Sequence, residues 1–286
     1  MSAQTLPRAG RLHLRPRLHL ALGIDGTIAA AVLVVLALVA ILASVLAPVN
    51  PLTTDLLNLN GSTSASHLLG TDSNGRDLVA RLMYGARTAL MAPLLVVLLA
   101  TTFGVVFSLL AAWSRGWVDS LISRLLDIVF AFPGLLLAIL AVAVFGKGLM
   151  AATIALAISY TPYIGRIVRG GALRALAQPY IAAVRSNGFN GLHITIRHVL
   201  PNLAPLVLSQ ASVLFGYAMI DLAAISFLGL GVQEPTPDWG AMIASGTSGI
   251  LAGYPQEALY AGALIVLTVA CVNLLADRIG DQAGMN

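Results

Sequence analysis

The sequence has 286 residues, of which 58% are apolar and 10% are charged. A soluble domain carries about 25% charged residues, so this composition excludes an ordinary soluble protein and indicates a membrane protein. The formal net charge is +4, and the single cysteine, Cys271, excludes a disulfide framework and a cysteine-based metal cluster.

Long apolar runs predict an all-α membrane protein with six spanning helices. The first run follows a basic head that contains Arg8, Arg11, Arg15 and Arg17. That run is too long for the apolar part of a cleaved signal peptide, so we interpret it as an uncleaved first span. The six predicted spans cover residues 24–47, 90–112, 121–145, 150–168, 203–230 and 257–276.

The distribution of lysine and arginine predicts that both termini lie in the cytoplasm. With the N-terminus inside, the inner segments hold 12 basic residues and the outer segments hold four. Residues 1–23 then form a cytoplasmic basic segment, which could also lie on anionic membrane lipid. Residues 24–280 form the transmembrane domain, and residues 281–286 form a cytoplasmic tail.

Two longer segments are expected on the outer side. In the first, Asp72 or Asn74 can cap a helix that begins near Gly75, and its apolar face predicts an amphipathic helix over residues 75–88 at the outer surface. The second, residues 231–256, is typical of a turn-rich loop that a tryptophan anchors at the membrane interface. The candidate contacts for an external partner are Asp72, Arg76, Asp77 and Trp239, of which Arg76 and Asp77 equally fit local capping and pairing.

The polar segment over residues 170–202 has the pattern of a shaped cytoplasmic loop. Pro179 suits the first turn of a short helix, Gly188 is placed to end it, and a second helix can begin near Leu192. Pro201 marks the start of the fifth span. The chain has no G-x-x-x-x-G-K-[ST] phosphate loop, so driven transport would need another polypeptide, and we expect that polypeptide to dock here.

This loop resembles the cytoplasmic EAA loop of ABC importer permeases, whose pattern is E-A-A, three residues, G, nine residues and I-x-L-P. Two positions depart from the pattern, because Ala182 replaces the usual Glu and His198 replaces the Ile. The missing carboxylate removes one salt bridge to an ATPase that the family pattern implies. The ATPase-coupling residues that the resemblance implies are Ala182, Ala183, Arg185, Gly188, Arg197, His198, Leu200 and Pro201.

Three further stretches resemble the dipeptide, oligopeptide and nickel branch of these permeases. They are HLLGTDSNGRDLVARLMYGARTAL (67–90), DIVFAFPGLLLAI (127–139) and SFLGLGVQEPTPDWGAMI (226–243). The resemblance covers roughly residues 24–280 and is strongest to the second, C-type permease subunit. The chain departs from the family at Leu222, where we expect an acidic residue; Asp221 lies beside it, about 100° away around a helix.

The resemblance implies a type I ABC importer permease fold in the bacterial cytoplasmic (inner) membrane. It implies a heterodimer with a homologous permease subunit, two cytoplasmic ATPase subunits that bind ATP and Mg, and an extracytoplasmic solute-binding protein. The chain itself is expected to bind no cofactor, metal or nucleic acid and to catalyse no reaction. Dipeptides, oligopeptides, glutathione-like compounds and nickel chelates are all open as solutes.

Several residues are candidates for the translocation path or its gate. Charges at membrane depth are costly and usually face a bundle interior or an aqueous path, while a proline within a span predicts a bend. The candidates are Asp221, Pro133, Phe227, Gly229 and Gly231.

Two alternatives belong to other functional classes. A secondary transporter driven by an ion gradient would use Asp221 and Asp127 as coupling sites, but it would also need paired interrupted helices. An intramembrane enzyme would need a nucleophile and base at membrane depth, whereas all five histidines lie outside the predicted spans.

Overall fold

The computed structural model describes residues 23–114 and 116–284, and the described part is helical apart from its loops and two isolated bridges. The predicted basic segment lies outside the described residues except for Gly23, and residues 281–284 of the predicted tail form the end of the last helix. The helices are α1 (Gly23–Leu46), α2 (Leu78–Ser114), α3 (Gly116–Phe130), α4 (Gly134–Phe145), α5 (Leu149–Leu176), α6 (Pro179–Ser186), α7 (Gly191–Ile194), α8 (Leu200–Phe227), α9 (Trp239–Leu251) and α10 (Gln256–Gly284).

Five helical segments in the described part are long and apolar enough to cross a membrane. They are α1, α2, α5, α10 and the continuous stretch Gly191–Phe227, in which the π-helical turn Thr195–Val199 joins α7 to α8. The bent pair of α3 and α4 supplies a sixth when it is counted as one span. The described residues therefore supply five or six candidate spans, a range that includes the predicted number of six.

The third predicted span is not one straight helix. It breaks after Phe130 and resumes at Gly134, and the axes of α3 and α4 differ by 81°. Pro133 lies at the break with an extended backbone, ψ 128°, and it has no N–H with which to continue the ladder of α3. The predicted bend at Pro133 is confirmed, and the predicted third span over residues 121–145 corresponds to α3 and α4 joined at this bend.

The predicted amphipathic helix over residues 75–88 is not a separate element. Helix α2 begins at Leu78 and runs unbroken to Ser114, so the amphipathic segment and the second span form one helix of 37 residues. Its first turn is capped by Asp77, whose Oδ1 accepts a hydrogen bond from the backbone N–H of Ala80 at 2.8 Å, and not by Asp72 or Asn74. Leu78 and Leu82 are buried, which shows that the apolar face of this segment packs inside the protein.

Two other loop predictions need correction. Residues 170–176 of the predicted cytoplasmic loop belong to α5, which continues beyond the predicted fourth span to Leu176. Residues 231–256 contain helix α9, capped by the side chain of Asp238, where a turn-rich loop was predicted. Pro235 and Pro237 indicated irregular structure for the whole segment, although the helix starts directly after Asp238.

Helices α2 and α5 form the most extensive helix–helix contact, and small residues bring them close together. A Cβ atom on Gly104 would lie 2.9 Å from Ile164 Cβ and 3.0 Å from the carbonyl oxygen of Thr161. Ser108 lies one turn farther along α2 and donates a hydrogen bond of 2.6 Å to the carbonyl oxygen of Gly165. The two backbones are therefore held at a distance that leaves no room for a side chain at position 104.

We predict that Gly104→Ala destabilises the protein, whereas Gly170→Ala does not. The added methyl group at position 104 must displace Ile164 or the α5 backbone, at a cost of about 1–3 kcal/mol. A Cβ at Gly170, also on α5, meets no atom within 4 Å, so the same substitution is neutral or stabilises α5 by about 0.5–1 kcal/mol. The assay is thermal unfolding of the purified chain in detergent, followed with a dye that reacts with the buried thiol of Cys271 on exposure. Equal melting temperatures for the two variants would contradict the proposed close contact.

Candidate functional site

The loop between α5 and α8 contains the short helix that its sequence predicts. Helix α6 begins at Pro179 and ends at Ser186. Gly188 follows with φ of 83°, a conformation that favours glycine, and turns the chain toward α7. The side chain of Asn190 caps α7 by accepting a hydrogen bond of 2.8 Å from the backbone N–H of His193. The predicted helix, glycine break and second helix are confirmed.

Buried side chains fix this loop to the transmembrane core. Ile181 of α6 is 1% exposed and packs in the same cluster as Ile194 and Val199, which belong to the second half of the loop. Trp113, next to the last residue of α2, contacts both halves of the loop. The Arg185 guanidinium lies 4.7 Å from its ring centroid, and a Cβ on Gly191 would lie 3.2 Å from the ring. These contacts link the position of the loop to that of α2.

The exposed face of the same loop is a basic and apolar surface. Most of the predicted coupling residues are exposed, and His198 is half-buried. The exposed members are Ala182, Ala183, Arg185, Gly188, Arg197, Leu200 and Pro201. Sequence reasoning missed the apolar part of this surface, which consists of Tyr180, Phe189, Leu192 and Ile196. The signal in the sequence was the presence of large apolar residues within a polar loop, and their exposure in the structure is typical of a binding surface.

A second candidate site is a cavity of about 410 Å³ between the α3–α4 bend, α5 and α8. Aromatic rings dominate its walls. It is open to the surface at Tyr217, which is 56% exposed, and at Phe132. Pro133 is the only predicted path residue that lines it directly. The lining residues are Phe130, Phe132, Pro133, Gly134, Ser159, Tyr160, Tyr163, Leu214 and Tyr217.

Asp221 adjoins this cavity through Tyr160. The Tyr160 hydroxyl donates a hydrogen bond of 2.6 Å to Asp221 Oδ2, and the Tyr163 hydroxyl, one turn along α5, is 2.9 Å from Gln210 Oε1. Leu222 is 4% exposed and packs in the apolar core. The carboxylate at position 221 therefore faces the polar side of α8, while the neighbouring position faces the core.

The other predicted path residues lie at the end of α8, away from the cavity walls. Phe227 is the last residue of α8 and is exposed. Gly229 has φ of 71°, and a Cβ on Gly231 would lie 2.4 Å from Ser226 Oγ. These two glycines shape the turn after α8 and allow it to fold back on the helix. Asp127, the second carboxylate considered for ion coupling, forms an ion pair of 2.7 Å with Arg166.

A buried charge network lies at the opposite end of α2 from the loop. Asp72 Oδ2 is 2.6 Å from Arg76 Nε and 3.3 Å from Arg81 Nε, and Arg76 also reaches Glu234 at 3.2 Å. Burial disfavours the charge on Arg76, but the two carboxylates outweigh that effect and hold its pKa above the usual value. Asp77 contacts His67 at 2.9 Å and does not form the i,i+4 ion pair with Arg81. The network ties the 47–77 segment to the segment before α9.

The prediction that Asp72, Arg76, Asp77 and Trp239 form a contact surface for an external partner is wrong. All four are at most 4% exposed. Trp239 packs against Gly85 and donates a hydrogen bond of 2.9 Å to the carbonyl oxygen of Leu82, so it anchors α9 to α2 and does not lie at a membrane interface. The sequence predicted local capping and pairing as an alternative for Arg76 and Asp77, but it did not indicate the long-range contacts that bury them.

The sequence is similar to that of known membrane transport proteins. Residues 104–282 match the family described as "Binding-protein-dependent transport system inner membrane component". The chain is 40% identical over 227 residues to the glutathione transport system permease protein GsiD of Pectobacterium atrosepticum, a match that covers 79% of this chain and 75% of that protein. It is 39% identical over 245 residues to the dipeptide transport system permease protein DppC of Alkalihalophilus pseudofirmus, covering 85% and 80%.

The fold is also similar to a solved structure. A chain of the MetNI methionine ABC transporter, determined in inward-facing conformations, superposes with a TM-score of 0.58 at 19% sequence identity. The match covers 71% of this chain and 96% of the other. At this identity the similarity concerns the fold alone.

We predict that Asp72→Asn destabilises the protein far more than Glu234→Gln does. Loss of the Asp72 charge leaves Arg76 and Arg81 buried without their nearest compensating carboxylate, which costs about 3–5 kcal/mol. Glu234 is 46% exposed, so its ion pairs contribute about 0–1 kcal/mol. Thermal unfolding in detergent, again reported by Cys271, measures both variants. A Glu234→Gln variant as unstable as Asp72→Asn would contradict the assignment of Asp72 as the centre of the network.

Proposed function

The chain belongs to the family of binding-protein-dependent transport system inner membrane components and is a non-catalytic, multi-pass permease subunit of an ABC importer; from this we propose that it forms half of a heterodimeric pore for peptides or related small solutes. The observation that carries the proposal is the loop of α6 and α7. It presents an exposed basic and apolar surface and is fixed to the transmembrane core by Ile181 and Trp113. Such a loop can bind a partner and pass its movement to the spans.

The coupling mechanism that we propose is alternating access. ATP binding draws two cytoplasmic ATPase subunits together, and each ATPase moves the loop bound to it. In this chain the movement reaches α2 through Trp113 and α8 through the π-helical turn Thr195–Val199. The loop must bind the ATPase differently in the two states, because equal binding would shift no equilibrium. ATP and Mg are bound by the ATPase subunits.

The proposal of the remaining partners rests on the description of the family and on the names of the relatives. We propose a homologous permease subunit as the second half of the pore and an extracytoplasmic solute-binding protein that delivers the solute. The relatives transport glutathione and dipeptides by name, which favours a small peptide-like solute over a nickel chelate. No nucleic acid takes part.

The orientation that we propose places both termini in the cytoplasm. Arg166, Arg169 and Arg185 then lie toward the cytoplasmic ends of α5 and α6, in agreement with the positive-inside rule. The buried network around Asp72 lies on the extracytoplasmic side. Membrane lipid surrounds the exposed apolar faces of the spans.

The two alternative classes lose their support with family membership. A secondary transporter driven by an ion gradient would use Asp127 and Asp221 as a relay, but Asp127 is paired with Arg166 and is 60% exposed. An intramembrane enzyme is excluded because the family member is the non-catalytic transmembrane component.

We predict that Arg197→Glu disrupts the coupling surface, whereas Lys147→Glu does not. Both residues are exposed, and both substitutions reverse one charge, but Lys147 lies in the turn before α5, at the other end of that helix from the loop. The measurements are co-purification of the ATPase subunits, ATP hydrolysis and solute uptake by the reconstituted complex. We expect Arg197→Glu to lower uptake by about tenfold, the equivalent of one strong charge-assisted contact.

The three readouts separate two roles of the loop. Loss of ATPase co-purification together with uptake means that the surface holds the ATPase. Retained ATP hydrolysis with lost uptake means that it transmits the movement. Normal uptake by Arg197→Glu, or equal loss in Lys147→Glu, would contradict the docking assignment. An unsubstituted complex without ATP-dependent uptake would contradict the proposed function as a whole.

A further inference from the structure

Asp221 lies within the spanning helix α8, and its carboxylate has no basic partner, unlike three other carboxylates on or near the spans. Asp119 pairs with Arg169 at 2.6 Å, Asp127 pairs with Arg166 at 2.7 Å, and Asp25 pairs with Arg278 at 3.1 Å. Among the described residues, no Arg, Lys or His lies within 4 Å of Asp221. A charge in an apolar helix bundle without a counterion is costly, and such residues mark ligand or ion paths.

The hydrogen bonding of Asp221 leaves one oxygen available. Oδ2 accepts from the Tyr160 hydroxyl, whereas Oδ1 accepts no hydrogen bond from the described residues. Oδ1 is also absent from the buried polar atoms that lack a partner, so it is not sealed inside the protein. An acceptor with free lone pairs beside a cavity suits a donor that a ligand brings.

The walls beside this carboxylate are aromatic. Tyr160, Tyr163 and Tyr217 line the cavity, and Phe130 closes its side at the α3–α4 bend. The faces of such rings attract organic cations, best when the cation is partly desolvated. A volume of about 410 Å³ lies within the range of pockets that hold small molecules. One carboxylate and several aromatic rings form a chemically coherent site for an ammonium group.

A metal ion fits this cavity poorly. The described residues contain no group of three or more His, Cys, Asp or Glu side chains that could hold a metal. Among the described residues, Asp221 is the only carboxylate hydrogen-bonded to a residue that lines the cavity, and the hydroxyl groups of Ser159 and three tyrosines supply the other polar side-chain atoms. The donor set therefore favours a cation that carries its own N–H groups.

We propose that Asp221, held by Tyr160, binds the free α-ammonium group of a peptide-like solute as it passes through the cavity. This assignment rests on the proposed function and adds the solute chemistry that this half of the pore selects. The ammonium donates to Oδ1 and lies against the tyrosine rings. The family position next to it, Leu222, cannot take this part because it is buried in the core.

The experiment uses the whole complex of this chain, its permease partner and the ATPase subunits in lipid nanodiscs, without the solute-binding protein. The probes are the dipeptide Ala-Ala and its N-acetyl form, which lacks the ammonium charge, each at millimolar concentration. Saturation-transfer NMR measures binding of each probe. We expect the unsubstituted complex to prefer Ala-Ala by about tenfold, the effect of one charge-assisted hydrogen bond, and Asp221→Asn to lose that preference.

Two variants separate recognition from structure. Tyr160→Phe removes the hydrogen bond between Tyr160 and Asp221 but keeps the carboxylate charge, so we expect it to retain the preference for Ala-Ala. Asp25→Asn makes the same chemical change as Asp221→Asn on α1, away from the cavity, and should match the unsubstituted complex. Loss of preference in Tyr160→Phe as complete as in Asp221→Asn would assign Asp221 a purely structural role and overturn the proposal.

Three further outcomes also overturn it: equal binding of the two probes by the unsubstituted complex, a preference that persists in Asp221→Asn, or no binding of either probe. Uptake from the loaded solute-binding protein is measured on the same preparation of the unsubstituted complex. Normal ATP-dependent uptake without an ammonium preference rejects only this site. Absent uptake rejects the proposed function instead.

Discussion

The backbones of α2 and α5 meet where Gly104 faces Ile164 and where Ser108 donates a hydrogen bond to the carbonyl oxygen of Gly165. Each region that bears on function depends on this contact. Helix α2 carries Trp113 beneath the loop of α6 and α7 and Arg81 within the buried charge network. Helix α5 carries the tyrosines of the cavity. Because α2 is one helix of 37 residues, about 55 Å long, it sets the positions of both ends relative to the cavity.

The loop and the cavity meet different physical requirements within this frame. The loop needs an exposed surface that is fixed to the protein core. On the short helix α6, Arg185 is exposed and Ile181 is buried in the core. The cavity needs polar groups at membrane depth, where each must be satisfied or face a path. Tyr160 and Tyr163 meet this need by hydrogen bonds to α8 that leave their rings in the cavity wall.

Local signals in the sequence predicted the elements that local physics determines. Pro179 and Gly188 indicated the limits of α6 because a helix start and a left-handed turn depend on neighbouring residues alone. Pro133 indicated a bend for the same reason. The burial of Trp239 and Arg76 was missed because it arises from contacts with Leu82 and Glu234, which are more than 150 positions away. The cavity was missed because its walls come from three separate segments, and only Pro133 and Asp221 had been singled out near it.

The bend between α3 and α4 has a consequence for biogenesis. Helices of 15 and 12 residues are about 22 and 18 Å long, so neither can cross a hydrocarbon layer of about 30 Å by itself. The backbone between them must also be shielded from lipid by protein or water. A Cβ on Gly134 would lie 2.9 Å from Ser159 Oγ, so α5 covers the first residue of α4 at this bend. Because α5 follows α3 and α4 in the chain, this cover can form only after α5 has been synthesised.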